Sequence, residues 1–95
     1  MASYELIYIV SPGITDEALP NILSKVNDSV AKTGGNVTEV TQWGRKKLAY
    51  PIKKFREGNY IFARLEMKPA ATKDIEANLK LSNEVIRHLL IRSNV

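Results

Sequence analysis

Apolar positions recur along the chain in two rhythms, one of about two residues and one of three to four. Tyr4–Val10 is rich in β-branched and aromatic residues and stops at Ser11-Pro12-Gly13, a turn signal. It predicts a buried strand, too apolar on both sides to mark which face turns inward. Ile14, Leu19, Ile22, Leu23, Val26 and Val30 then repeat at spacings of three and four, the signature of an amphipathic helix. Thr15 ahead of Asp16 and Glu17 is placed to cap its start with acids in the first turn. Pro20 sits awkwardly in that frame, about one turn inside, and is tolerated only where its absent amide has no intrahelical partner. Gly34-Gly35 ends the helix, in the left-handed conformation such a terminus requires.

Asn36–Gln42, with Val37, Thr38, Val40 and Thr41, predicts a second strand that runs on through Trp43-Gly44 and meets Pro51. Proline cannot donate to a ladder, so this part belongs at a sheet edge or past the end of pairing. Arg56-Glu57-Gly58-Asn59 predicts a turn. Tyr60–Met67 alternates cleanly, with Tyr60, Phe62, Arg64 and Glu66 on one side and Ile61, Ala63, Leu65 and Met67 on the other. After Pro69, Thr72–Leu81 predicts a short helix around Ile75 and Leu79, and Val85–Arg92 a fourth strand. The order β-α-β-β-α-β defines an α+β fold: a four-stranded antiparallel sheet with both helices on one face and the other face open. No linker, repeat or low-complexity stretch interrupts it, and 95 residues suit a single domain spanning 1–95.

Composition adds limits. The hydrophobic share of 44% is that of a folded globular chain. There is no cysteine, which removes disulfides, thiolate metal sites and cysteine nucleophiles and agrees with a reducing, cytoplasmic setting. The apolar run Leu6–Val10 is too short for a signal-peptide core or a bilayer span, so no membrane partner is expected.

Net charge is +4, and its placement says more than its size. Residues 1–44 carry −3 and residues 57–95 carry +1, whereas residues 45–56 carry +6 with no acid among them. Arg45, Lys46, Lys47, Lys53, Lys54 and Arg56 supply that charge. Positive charge so concentrated attracts polyanions by Coulomb force and by release of condensed counterions.

Catalytic chemistry is not visible. A lone histidine, His88, lacks the partner that general-base work requires and reads as a core-edge or surface imidazole. The carboxylates are dispersed as caps and solvated charges. No zinc-protease, nucleophile-elbow or phosphate-loop motif occurs, and Gly34-Gly35 follows a helix rather than opening one. The expectation is no enzyme, no cofactor, no metal and no small-molecule substrate. The element order also suits an RNA-recognition motif, in which strand aromatics stack bases. Glu57-Gly58-Asn59-Tyr60-Ile61-Phe62 matches its third-strand signature poorly, because the aromatics come one residue late and Ile61 replaces a small residue. On that ground Tyr8 is expected in the core, with Tyr60 and Phe62 covering the open face or meeting a partner.

In Trp43–Lys54, basic side chains interleave with Trp43, Leu48, Tyr50 and Ile52, as on a surface that pairs phosphates while pressing apolar groups on a neighbour. The same composition also suits an edge strand guarded by lysines against aggregation. Composition does not separate the two. The segment Gly44-Arg45-Lys46-Lys47-Leu48-Ala49-Tyr50-Pro51-Ile52 closely resembles the G-x-[KR]-x-L-A-Y-P-I segment of the family of the sixth protein of the bacterial small ribosomal subunit. Weaker likenesses run through Tyr4-Glu5, Gly58, Glu66-Met67 and the basic, apolar Val85–Arg92. The resemblance implies a ferredoxin-like fold and a place in the platform region of the small subunit. It implies two partners, small-subunit ribosomal RNA and the eighteenth small-subunit protein, and no catalysis. Members of that family often carry an acidic or extended tail. This chain stops at Ser93-Asn94-Val95, a departure from that pattern, so a tail-dependent contact or modification is not among the expectations.

The charge map agrees with that implication. Arg45, Lys46, Lys47, Lys53, Lys54 and Arg56 are the expected phosphate contacts, followed by Arg87 and Arg92, while Lys25 and Lys32 are expected to be solvated. Trp43, Leu48, Tyr50, Tyr60 and Phe62 are the candidates for the protein partner, since aromatics are enriched at interface anchors. The rival from another class is a ferredoxin-like regulatory module that binds a ligand or oligomerises through the open face. A small acyl-phosphate or isomerase-type enzyme on the same fold would need an Arg/Asn or carboxylate–His pair on converging loops, and the sequence offers neither.

Overall fold

Nine residues of strand open the chain, because Ala2–Val10 (β1) alternates Tyr4, Leu6, Tyr8 and Val10 against the helices. The structure, a computed structural model, describes residues 2–93; Asn94 and Val95 of the expected tail lie outside the described residues. The remaining elements are α1 (Leu19–Lys32), β2 (Asn36–Ile52), β3 (Phe55–Met67), α2 (Thr72–Leu81) after a single 3-10 turn at Pro69–Ala71, and β4 (Val85–Arg92). The sheet order is β2-β3-β1-β4 and every neighbouring pair is antiparallel. This is the α+β architecture that the rhythm of apolar positions predicts.

Leu6, Tyr8, Ile61, Leu65 and Met67 are almost wholly buried beneath Leu19, Ile22, Val26 and Val30 of α1 and Ile75 and Leu79 of α2. Each such side chain contributes about 1.5–3 kcal/mol when taken from water. Tyr8 is 1% exposed, as the core assignment expects.

Two local expectations are corrected. Thr15 does not cap the helix. Its carbonyl accepts from the Ala18 and Leu19 amides (3.0 Å each) and its Oγ1 from the Ala18 amide (3.2 Å), which closes a separate turn through Asp16 and Glu17. The α-helix therefore starts at Leu19, and Pro20 falls in its first turn, where a missing N–H leaves nothing unpaired. The far end behaves as expected: Gly34 has φ 85°, and the Gly34 and Gly35 amides close on the carbonyls of Ala31 (3.0 Å) and Val30 (3.2 Å).

The second correction concerns the hairpin. Arg56-Glu57-Gly58-Asn59 is not a turn but the first half of β3, paired with Arg45–Lys47. Gly58 answers to packing, since a Cβ there would drive into Ile9 Cγ2 and come within 3.1 Å of the Val10 carbonyl oxygen. The turn is Lys53-Lys54, whose φ values of 48° and 74° match the two-residue hairpin loop that follows the twist of the strands. Pro51 lies on the edge strand between the pairs Lys47↔Glu57 and Ile52↔Phe55, where no ladder bond is asked of it.

Candidate functional site

Because Tyr4, Leu6 and Tyr8 point into the core, the alternate residues Glu5, Ile7 and Ile9 lie on the uncovered face of the sheet. Their cross-strand partners there are Arg64, Phe62 and Tyr60 of β3 and Ile91, Leu89 and Arg87 of β4. The result is an apolar strip across three strands. Leu89 and Ile91 are 50% and 47% exposed, although both are large hydrophobic residues.

β2 completes the strip through a bulge. Gln42 pairs with Ile61 and Gly44 with Tyr60, so Trp43 is the extra residue, and Gly44 takes φ 86° to absorb it. Trp43 stacks on Phe62, with ring centroids 5.4 Å apart and planes 9° apart. Lys46 Nζ lies 5.4 Å from the Trp43 ring centroid, and the Arg64 guanidinium 5.7 Å from that of Phe62. Arg64 is also paired with Glu39 at 3.3 Å. Trp43 and Phe62 are thus occupied by each other and by cations, and a stacking base would have to displace one of these contacts. The arrangement suits a preformed protein anchor better than a base-stacking platform.

Beyond Lys47 the strand leaves its ladder and leans back over the sheet. Leu48, Tyr50 and Ile52 line a groove of about 210 Å³ with Ile7, Ile9 and Tyr60. Arg87 donates a hydrogen bond from Nη1 to the Tyr50 hydroxyl and lies 5.7 Å from that ring's centroid. Tyr50 is itself 55% exposed. All five expected partner residues, Trp43, Leu48, Tyr50, Tyr60 and Phe62, therefore come together on or beside the open face.

The eight expected phosphate contacts are all solvent-exposed, but they do not form one patch. After the bulge, Lys46 faces the open side and Arg45 the helix side. Arg45 is held there by the Pro12 carbonyl (2.9 Å) and Glu57 (3.5 Å), with half its side chain still exposed. Lys47, Lys54 and Arg56 surround a shallow groove under Leu48–Pro51. Lys53 sits at the hairpin tip. Arg87 and Arg92 pair with Ile9 and Tyr4, so they occupy opposite faces of β4.

Among the described residues the titratable groups do not converge on one site. His88 is half-buried opposite Tyr8. Among the described residues no three His, Asp or Glu side chains gather closely enough to hold a metal ion. Burial raises the Tyr8 phenol far above its ordinary value of 10.0. The Ser82 hydroxyl, donating to Glu84 at 2.8 Å, lowers that carboxyl, with further help from its own backbone amide and from Lys25.

The candidates named from sequence omit Ile7, Ile9, Arg64, Leu89 and Ile91, which share the open face. The alternation Arg87, Leu89, Ile91 is written in β4 and would have located two of them had its phase been known.

A helix-backed sheet whose bare face is apolar and whose hairpin is basic defines a small ferredoxin-like protein built to be held by macromolecules. The family model described as Ribosomal protein S6 matches residues 3–92. The chain belongs to that family of small-subunit ribosomal proteins. It is 44% identical over 91 residues to small ribosomal subunit protein bS6 of Clostridioides difficile, covering 96% of this chain and 98% of that one. The bS6 protein of Moorella thermoacetica is 37% identical over 92 residues, covering 97% and 94%. The crystal structure of 30S ribosomal protein S6 from Thermotoga maritima superposes with a TM-score of 0.91 at 27% identity, covering 97% of this chain and 87% of that one. The C-terminal domain of MgtC from Mycobacterium tuberculosis shares the fold alone, at TM-score 0.67 and 14% identity. The family is structural and not enzymatic, and its setting is the ribosome, in the cytoplasm.

Proposed function

We propose that this structural constituent of the small subunit binds ribosomal RNA of the central, platform region through its basic hairpin. At the same time its open sheet face is covered by the eighteenth small-subunit protein. The observation that carries this reading is the adjacency of two unlike surfaces. An apolar strip from Trp43 to Ile91 lies beside a hairpin whose Lys47, Lys53, Lys54 and Arg56 are exposed without a carboxylate partner among the described residues. The strip has the aromatic anchors of a protein interface, and the hairpin has the charge of a phosphate interface. Phosphate contacts set position and not sequence, so specificity comes from RNA shape and from the protein partner.

Sedimentation of the tagged chain through a sucrose gradient of bacterial lysate tests it, beside a variant carrying Lys47→Glu, Lys54→Glu and Arg56→Glu. The wild type is expected with small subunits and the variant near the top. In a binding series with five or six phosphates contacted, log K should fall against log salt with a slope of roughly −3 to −5. A wild type left at the top, or a flat salt dependence, contradicts the reading. Co-migration of both chains would move the main attachment to the open face.

A further inference from the structure

Three elements bring cations around one depression at the hairpin end of the sheet. Lys53 comes from the β2–β3 turn, Lys80 from the last turn of α2, and Arg87 and His88 from the start of β4. With Leu79, Val85 and Ile86 they line a cleft of about 260 Å³. No carboxylate is among the lining residues, so Lys53 and Lys80 bring two formal positive charges to the same space without an internal counter-ion. Like charges gathered in this way repel one another, and an anion relieves them.

The cationic side chains are also positioned. The Arg87 guanidinium is held by the hydroxyl and ring of Tyr50, which does not line the cleft, so Arg87 borders it without filling it. Lys53 projects from a backbone held at φ 48° by the tight turn. Lys80 stands at a helix C-terminus, where the backbone dipole favours a cation. That dipole accounts for Lys80 alone; it does not account for Lys53 reaching the same cleft.

We propose that this cleft holds one ribose-phosphate unit of an RNA strand that passes around the hairpin tip to the α2–β4 side. Lys53 and Lys80 act as point charges on its non-bridging phosphate oxygens. A ring N–H of His88 is a further donor, and Leu79, Val85 and Ile86 offer an apolar wall to the sugar. The inference rests on the RNA-binding reading above and adds Lys80 and His88, which that reading does not include.

The test uses small subunits reconstituted with the full chain, its affinity measured from 0.05 to roughly 0.5 M salt, a range over which phosphate contacts weaken steeply. Lys53→Ala with Lys80→Ala is compared with Lys47→Ala with Arg56→Ala on the outer side of the hairpin. The cleft pair should weaken binding about tenfold and make the salt slope shallower by about 1, with Lys53→Arg and Lys80→Arg restoring both. Unchanged thermal unfolding of the purified variants shows that the loss is one of contact. In intact small subunits, Lys80 should resist a lysine-acetylating reagent that modifies Lys73 on the same helix. If the outer pair weakens binding while the cleft pair changes neither affinity nor slope, the cleft assignment is overturned and the RNA reading stands. Weaker binding at an unchanged slope, or protection of Lys80 without any loss of affinity, means that a protein covers the cleft and likewise overturns it. A wild type whose binding ignores salt removes both readings together.

Discussion

Trp43 and Phe62 lie face to face across the β2–β3 pair, 5.4 Å between centroids and 9° from parallel, although Trp43 is a bulge residue with no partner in the ladder. Trp43 stands two residues on from Thr41, the cross-strand partner of Phe62, so the alternation of the strand puts both rings on one face. The stack leaves Trp43 43% exposed.

A double-mutant cycle on Trp43→Ala and Phe62→Ala, read by urea unfolding, is expected to give a coupling of about 1 kcal/mol, the usual worth of an aromatic pair beyond its buried area. Neither single variant should unfold the domain, since both side chains sit outside the core. A coupling near zero would mean that the pair is only coincident.

The hairpin turn should trade stability for charge. Lys53 and Lys54 hold positive φ, which suits asparagine and glycine better. Lys53→Asn with Lys54→Gly is expected to raise stability by about 1 kcal/mol in urea unfolding. The same pair should weaken association with small subunits in a salt-dependent manner. A loss of stability would show that the lysines make contacts which outweigh their backbone conformation.

Alkaline stability should depend on Tyr8. Its phenol titrates above its unfolded value when the chain is folded. Its contribution is therefore complete below the unfolded value, near 10, and is lost as pH rises toward the folded one. Tyr8→Phe should flatten the fall of unfolding free energy between about pH 10 and 11 and leave neutral pH little changed. An identical alkaline limb in both proteins would assign it to other groups.

Gly58→Ala should destabilise the fold by about 1–3 kcal/mol, the usual range for overpacking, because Ile9 and the Val10 carbonyl leave no room for a methyl group. Gly13→Ala is the control, since a Cβ there meets only Ser11 Oγ at 3.6 Å. Equal thermal midpoints for the two variants would show that β1 yields at this point.

The apolar rhythm alone determined the order of elements and the bounds of α2 and β4, because side chains that must leave water repeat with the period of the backbone that carries them. It also determined which side of β3 enters the core, and the nine residues from Gly44 to Ile52 pointed to the family. Tertiary structure decided the rest. β1 is apolar on both sides, so only packing against α1 and α2 selected Tyr4, Leu6 and Tyr8 as its inner face. Gly58 has the sequence character of a turn, yet what requires it is the approach of Ile9 from a distant strand. The bulge at Trp43 reverses the alternation of β2, so that Lys46 and not Arg45 faces the open side of the sheet. A strand's period is local and readable, but its phase after a bulge is set by the neighbouring strand, and that neighbour lies elsewhere in the chain.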